Sequence, residues 1–291
     1  PTTPMVVDPT LTLAAEGPKH TGEVAFVFTG PAGSYYGMGA ELLLAFPFLR
    51  ERFLSHAPEA RESAGWFFEP KGPWPTPSQC LWGSALLAQM HAAITRDVLG
   101  IQPDAAIGFC AGESSALFAL GAWNDVDAMH AEIEEMNLFT REIGGSFDVV
   151  RAAWGLDTLD WLNWRVLAPD DEIIAAIADE PHARLTILNA PGDVVIGGDA
   201  AATERVVAKL GKHRCQRLGY PVSLHCTEIQ GYAQQWYDLH HRETTAVPGV
   251  RFYSGANGAS YEATADRAAQ AVTDMAVDTF DFPTTIEKAY A

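Results

Sequence analysis

The strongest chemical signal in the chain is six residues long. In Gly108-Phe109-Cys110-Ala111-Gly112-Glu113 a nucleophile stands two residues from a glycine on either side. The apolar run 105–109 before it reads as a short strand, and the small and apolar residues up to Gly121 read as a helix. The cysteine therefore falls on a sharp strand-to-helix turn, a nucleophile elbow. Glycines suit that turn because the backbone passes close on both sides and leaves no room for a Cβ. The sulfur would sit at a helix N-terminus, where the dipole and free N–H groups favour thiolate. The N–H of Ala111 would face the oxyanion of a tetrahedral intermediate. A lone cysteine is usually an inert core residue; the strand and helix around this one set it apart. A second candidate is His225, which ends the apolar lead-in Pro221-Val222-Ser223-Leu224. His91, His130, His213, His240 and His241 have no comparable context and read as surface or packing residues.

The elements that must position these residues follow from periodicity and turn chemistry. Residues 23–28 read as a buried strand running into the turn-rich loop 29–34, and 38–45 as a helix. Residues 57–79, rich in proline, read as irregular, and 81–99 as a long helix closed by Gly100. Asn124 is a candidate N-cap for the helix that follows, which carries Val126, Met129, Ile133, Met136 and Thr140 on one side. Beyond Gly144-Gly145 the rhythm changes. Strands are expected over 147–154, 184–189, 194–198 and 215–218, with helices over 171–178 and 201–210. That order, strand–helix–strand–strand–helix–strand, is a split βαβ pattern and marks a small inserted unit. The segment 159–169, with Trp161 and Trp164, has no place in it. After His225 a helix (231–242), a strand (250–254) and a helix (264–277) are expected.

Composition narrows the function classes. With 48% hydrophobic and 19% charged residues in 291, the chain is of ordinary globular type. No run of 18 apolar residues suggests a membrane span, and no secretory signal is evident. Asp and Glu number 37 against 19 Lys and Arg, which argues against a nucleic-acid partner. An anionic ligand would need a local basic patch, for which Lys212, His213, Arg214 and Arg217 are candidates. Cys80, Cys110, Cys215 and Cys226 lie far apart without C-x-x-C pairing. Neither a disulfide framework nor a metal site is expected, and a reduced cytoplasmic compartment fits. The chain starts at Pro1 without Met, and residues 1–20 read as the linker remnant of a longer polypeptide.

Four stretches, in consecutive order, resemble the acyltransferase domains of polyketide and fatty-acid synthases. Residues 24–30 with Tyr36-Gly37-Met38-Gly39 resemble their opening strand and Gly-Gln-Gly-Ser loop, and 108–113 their Gly-His-Ser-x-Gly-Glu elbow. Residues 189–195 resemble their small-domain hairpin, and Pro221-Val222-Ser223-Leu224-His225 their catalytic-histidine segment. The wording of 112–123 looks most like iterative synthases of the enediyne and polyunsaturated-fatty-acid kind. The resemblance implies an α/β fold, with an α/β-hydrolase-like large subdomain (21–143 and 219–291) and an inserted ferredoxin-like small subdomain (144–218). It implies a ping-pong enzyme with no permanent cofactor. A coenzyme A thioester, expected from the resemblance to be malonyl-CoA, acylates Cys110; the acyl group then passes to the phosphopantetheine of an acyl carrier protein. His225 would be general base and acid in both steps. Neighbouring synthase domains are further expected partners.

Departures from the family pattern bear on chemistry and substrate. Cys110 replaces the usual serine, as in the elbow of fungal starter-unit acyltransferases, and its acyl form is a thioester close in energy to donor and acceptor. Phe109 replaces a histidine. Pro31 stands where the second oxyanion donor is expected and has no N–H, so either Ala32 or Gly33 donates instead or the hole has one donor fewer. The malonyl-binding arginine aligns with Asn137, and Arg141 lies one helical turn further on. Leu224 before the histidine would crowd an α-branched acyl group, and Gln79 completes the expected binding set. Rival readings are a neutral starter-acyl transferase, a thioesterase-like editing domain and a catalytically silent docking domain.

Overall fold

In a computed structural model of the chain, residues 5–8, 11–13, 22–49 and 58–291 are described. Within the expected linker, β1 (Met5–Asp8) and β2 (Leu11–Leu13) form an antiparallel hairpin; the rest of 1–20 lies outside the described residues. The main chain path then runs β3 (Ala25–Phe28), α1 (Ala40–Ala45), α2 (Pro58–Ala64), α3 (Pro77–Ala93), β4 (Ala105–Gly108), α4 (Gly112–Ala119), α5 (Val126–Glu135) and α6 (Asp148–Trp154). A second group follows: β5 (Trp161–Leu167), α7 (Asp170–Ile177), β6 (Ala183–Ala190), β7 (Asp193–Asp199), α8 (Ala200–Leu210) and β8 (Cys215–Arg217). The chain ends with α9 (Ala233–His240), β9 (Arg251–Tyr253), β10 (Ser260–Tyr261), α10 (Ala265–Ala276), β11 (Phe280–Asp281) and α11 (Phe282–Tyr290).

The first sheet has the order β10-β9-β4-β3. Its centre is β4, parallel to β3 on one side and to β9 on the other, with Gly108 opposite Phe28. Ala105, Ala106 and Ile107 are all buried, as expected of a strand covered on both faces. Their small side chains let α4 pack closely behind the sheet. Around it lies the main core, which includes Trp123, Leu117, Phe252 and Ile229.

Proline positions account for one correction. The region 57–79, expected to be irregular, contains α2, a 3₁₀ turn over Gly65–Phe68 and the start of α3. Pro58 and Pro77 open helices here, where the missing N–H costs nothing. At α3 the Thr76 side chain accepts from Gln79 N–H while the Gln79 side chain accepts from Thr76 N–H, a capping box. The helix thus begins four residues before the expected start.

The second correction concerns the inserted unit. Residues 147–154, expected as its first strand, are helical: Phe147 and Gly155, both in the left-handed region, bracket α6, and Asp148 pairs with Arg151 one turn on at 2.7 Å. The first strand is the segment that had no place, β5. It pairs antiparallel with both β7 and β8, and Trp161 through Trp164 are all buried. Such a central strand lacks the alternation of a half-exposed one, which obscured it. The βαββαβ order survives with its first strand moved, in a sheet ordered β11-β6-β7-β5-β8. The sheet is not closed within 144–218, because β11 joins it parallel to β6. Its own core includes Leu162, Ile173, Val194, Ile196 and Val206.

The elbow is tied to the far edge of the first sheet by Glu113. This side chain is 1% exposed and accepts from Gly255 N–H at 3.0 Å and Tyr261 O–H at 2.7 Å. Burial pushes its carboxyl up from 4.5 to about 7, against the pull of those two donors. Glu113→Ala orphans both donors and should lower stability by about 3 kcal/mol in urea melts, with Glu113→Gln losing roughly half as much. Between pH 4.5 and about 7 the folded carboxyl holds its proton more tightly than the unfolded one. Its contribution to stability should therefore fall as pH rises through that window, and the glutamine variant should lose this slope.

Candidate active site

Cys110 occupies the turn between β4 and α4 with φ +54, in the left-handed region that L residues rarely adopt. The turn closes through Phe109 N–H to Phe28 O at 2.8 Å and Gly112 N–H to Phe109 O at 2.9 Å. The two glycines are sterically required. A Cβ on Gly108 would overlap the backbone of Glu113, and one on Gly112 the carbonyl of Phe28. The Ala111 N–H lies against the sulfur as a hydrogen-bond donor.

His225 faces it from the other side. Its Nε2 is 3.0 Å from the Cys110 Sγ, and its Nδ1 is 2.8 Å from the Met275 carbonyl. A carbonyl can only accept, so Nδ1 carries the proton and Nε2 is directed at sulfur. The backbone N–H of His225 donates to Ala276 O at 2.8 Å. Both carbonyls belong to the last turn of α10, whose negative dipole end favours imidazolium. His225 also has positive φ, +60, and is 4% exposed. Burial opposes charge on both groups. Their mutual attraction and shared hydrogen bond prevail, so the thiol lies below and the imidazole above its ordinary pKa. Both shifts favour proton transfer from the thiol to the imidazole.

Cys110 stands where two cavities meet. The outer one is bounded by the 3₁₀ turn Pro31–Gly33, Phe109 and small-unit residues such as Asn163 and Leu218. Pro31 and Ala32 open that turn, where N–H groups have no partner within the helix. Ala32 therefore borders the same cavity as Cys110. The inner cavity runs between α3, α4, α5, α9 and α10, and its walls include Trp82, Phe118, Ile133, Trp236 and Leu239. Leu224 lines both, as does Tyr220. Phe109 packs edge to face on Phe280 and Phe282, each at 5.1 Å, and makes the outer wall apolar.

Three expected binding residues lie elsewhere. Arg141 is in a π-helical turn after α5, its side chain 60% exposed and paired with Glu142 at 2.6 Å and Asp148 at 3.6 Å. A single wide turn replaces the α-helix that would have aimed it inward. Asn137, in the left-handed conformation, donates to Glu135 O, and the Gln79 side chain caps α3. Both border a separate hollow beside Ser63 and His130. Asp125, rather than Asn124, occupies the N-cap of α5. Of the expected basic patch, Arg214 pairs with Glu172 at 2.7 Å, and Arg217 is exposed on β8 next to Leu218.

Four polar residues that line the inner cavity were not expected as site residues: Ser114, Ser115, Tyr220 and His240. The i,i+4 spacing of Trp236 and His240 on α9 was a legible sign of a shared face; nothing in sequence singled out Tyr220. Among the described residues no cluster of His, Cys, Asp and Glu could hold a metal, and no helix is long and apolar enough to cross a membrane.

Burial pushes Cys80 up to about 11 and raises Cys215 and Cys226 as well, while Cys110 alone is lowered. At pH 7, iodoacetamide should label Cys110 well ahead of the other three in peptide mapping. Its labelling should persist below the pH at which an ordinary thiol stops reacting, because the lowered pKa keeps thiolate present there. His225→Ala should move that profile up in pH.

No established family profile matches the chain. It is 27% identical over 226 residues to one chain of the polyunsaturated fatty acid synthase of Thraustochytrium sp., covering 70% of this chain and 11% of that one. It is 27% identical over 221 residues to a malonyl CoA-acyl carrier protein transacylase of Haemophilus influenzae, covering 72% of this chain and 67% of that one. The chain thus spans about two thirds of a stand-alone transacylase and a small fraction of a synthase polypeptide. Among solved structures, the malonyl-CoA:acyl carrier protein transacylase of Xanthomonas oryzae pv. oryzae superposes with a TM-score of 0.72 at 22% identity, over 92% of this chain and 84% of that one. The chain is a relative of the malonyl-CoA:acyl carrier protein transacylases and of a segment of polyunsaturated fatty acid synthase, and it has the transacylase fold.

Proposed function

We propose that the chain is an acyltransferase that carries an acyl group between thiols as a Cys110 thioester, with His225 as acid and base. The observation that supports this reading is the 3.0 Å contact of His225 Nε2 with Cys110 Sγ at a glycine-flanked elbow. The Cys110 thiolate attacks the carbonyl carbon of an acyl-CoA, and the carbonyl electron pair moves to oxygen, opposite the Ala111 N–H. Collapse of this intermediate breaks the bond to coenzyme A, whose sulfur takes the proton of the His225 imidazolium. Cys110 is now a thioester and His225 neutral. In the second half, Nε2 takes the proton of the carrier-protein thiol, and the resulting thiolate attacks the Cys110 thioester. The bond to Cys110 breaks and the thiolate–imidazolium pair returns.

Each residue has a physical task in this scheme. The Met275 carbonyl holds the imidazole in the tautomer that presents Nε2 to sulfur. Ala111 and Ala32 are the oxyanion donors, since Pro31 has no N–H; one such donor is worth about 3 kcal/mol of barrier. The outer cavity admits the pantetheine arm of either partner. Coenzyme A as donor and a carrier protein as acceptor are suggested by the relatives' names, and neighbouring synthase domains are partners if the chain works within a longer protein.

Incubation with acyl-CoA should add one acyl mass to the intact protein, removed by a carrier thiol faster than by water. Cys110→Ala should form no adduct; an adduct in that variant would overturn the assignment, and loss to water alone would make the chain a thioesterase. His225→Ala should slow both half-reactions by roughly 10²–10⁴-fold.

A further inference from the structure

We propose that the inner cavity receives the alkyl chain of a neutral, unbranched acyl group, in preference to the carboxylate of a malonyl group. The inference rests on Cys110 being the acyl carrier and names the class of its cargo. Its basis is the wall of the cavity. Apolar side chains such as Trp82, Phe118, Met129, Ile133, Leu138 and Leu239 dominate it, and apart from Cys110 and His225 at its mouth and His240 no ionisable residue but Tyr220 is among its lining residues. Once Cys110 is acylated and His225 has given up its proton, a carboxylate held there would meet no cation, and an unpaired buried charge is strongly disfavoured. An alkyl chain would exchange water for close apolar contact instead.

The cations nearby are otherwise engaged. Arg141 is turned to solvent on Glu142 and Asp148. The buried guanidinium of Arg242, two residues past the cavity-lining His240, is held by Asp125, Glu132 and the Leu239 carbonyl. His240 itself is neutral at physiological pH. Burial brings it down to about 4, aided by Arg242, and its Nδ1–H donates to Trp236 O at 2.7 Å. The remaining polar groups of the lining, Ser114, Ser115 and Tyr220, are uncharged hydroxyls. Leu224 lines the cavity together with Cys110 and His225, and its bulk disfavours an α-methyl branch on the acyl group.

The test is a competition of equimolar malonyl-, acetyl-, butyryl- and hexanoyl-CoA for the intact protein, read as the mass distribution on Cys110 at short times. Butyryl and hexanoyl adducts should exceed malonyl by at least tenfold. Arg141→Ala, which removes an exposed cation, should leave the malonyl-to-acetyl ratio within twofold. Ser114→Phe, which fills the cavity beside the elbow, should lower the hexanoyl-to-acetyl ratio by at least tenfold. Malonyl labelling equal to or above butyryl would overturn the proposal, as would selective loss of malonyl in Arg141→Ala. Absence of any adduct from all four donors would instead overturn the Cys110 transferase reading, and this inference with it.

Discussion

A single 3.0 Å contact, Cys110 Sγ to His225 Nε2, is the constraint on which the rest of the structure converges. Its two residues are 115 positions apart and both hold positive φ, a conformation that costs of order 1–3 kcal/mol each unless the surroundings impose it. On the cysteine side the imposition comes from Gly108 and Gly112, which let the strand and helix close upon each other. On the histidine side it comes from the end of α10, where consecutive carbonyls fix the ring through Met275 and the backbone through Ala276. The pair is buried enough to disfavour an isolated charge, and each group stabilises the other's charge only at this separation.

The two structural units serve that contact from opposite sides. The parallel sheet ends at the elbow, and Glu113 anchors the first turn of α4 to the loop after β9 and to β10. The smaller sheet closes over the outer cavity. Asn163 on β5 donates to the carbonyls of Tyr220 and Val222, just before His225. Arg184 on β6 pairs with Glu228, just after it, at 2.6 Å. The segment that carries the histidine is thereby held by the small unit on both flanks. The strand β11 crosses between units and brings Phe280 against the His225 ring at 5.5 Å.

The electrostatic character of the site differs from that of the surface. A chain of net charge −18 encloses an inner cavity whose lining has no Lys, Arg, Asp or Glu and whose titratable side chains are Cys110, Tyr220, His225 and His240. Cys110 and His225 thus face each other in surroundings of low dielectric, where their interaction is stronger than it would be in water. Ion pairing takes place elsewhere, on the outside of the helical layer at Arg141 and behind it at Arg242.

The sequence by itself determined where the elbow cysteine lies and what its local setting is. A G-x-C-x-G turn between a short apolar strand and a small-residue helix can be read from spacing, because the steric requirement is local. The βαββαβ order was legible for the same reason, although its first strand was misplaced: β5 is buried on both faces, so its pattern carries no alternation. What only the tertiary structure decided are the relations between distant segments. Asn137 and Arg141 lie in the stretch where the acyl-binding arginine was expected, yet a left-handed residue and one π-helical turn rotate both away from the sulfur. Gln79 reads as a polar pocket residue and serves as a helix cap. Tyr220, His240 and the apolar cavity wall come from helices and loops that meet only when the core closes. Side-chain direction depends on fractions of a helical turn and on packing across the interior, which residue spacing along one segment does not encode.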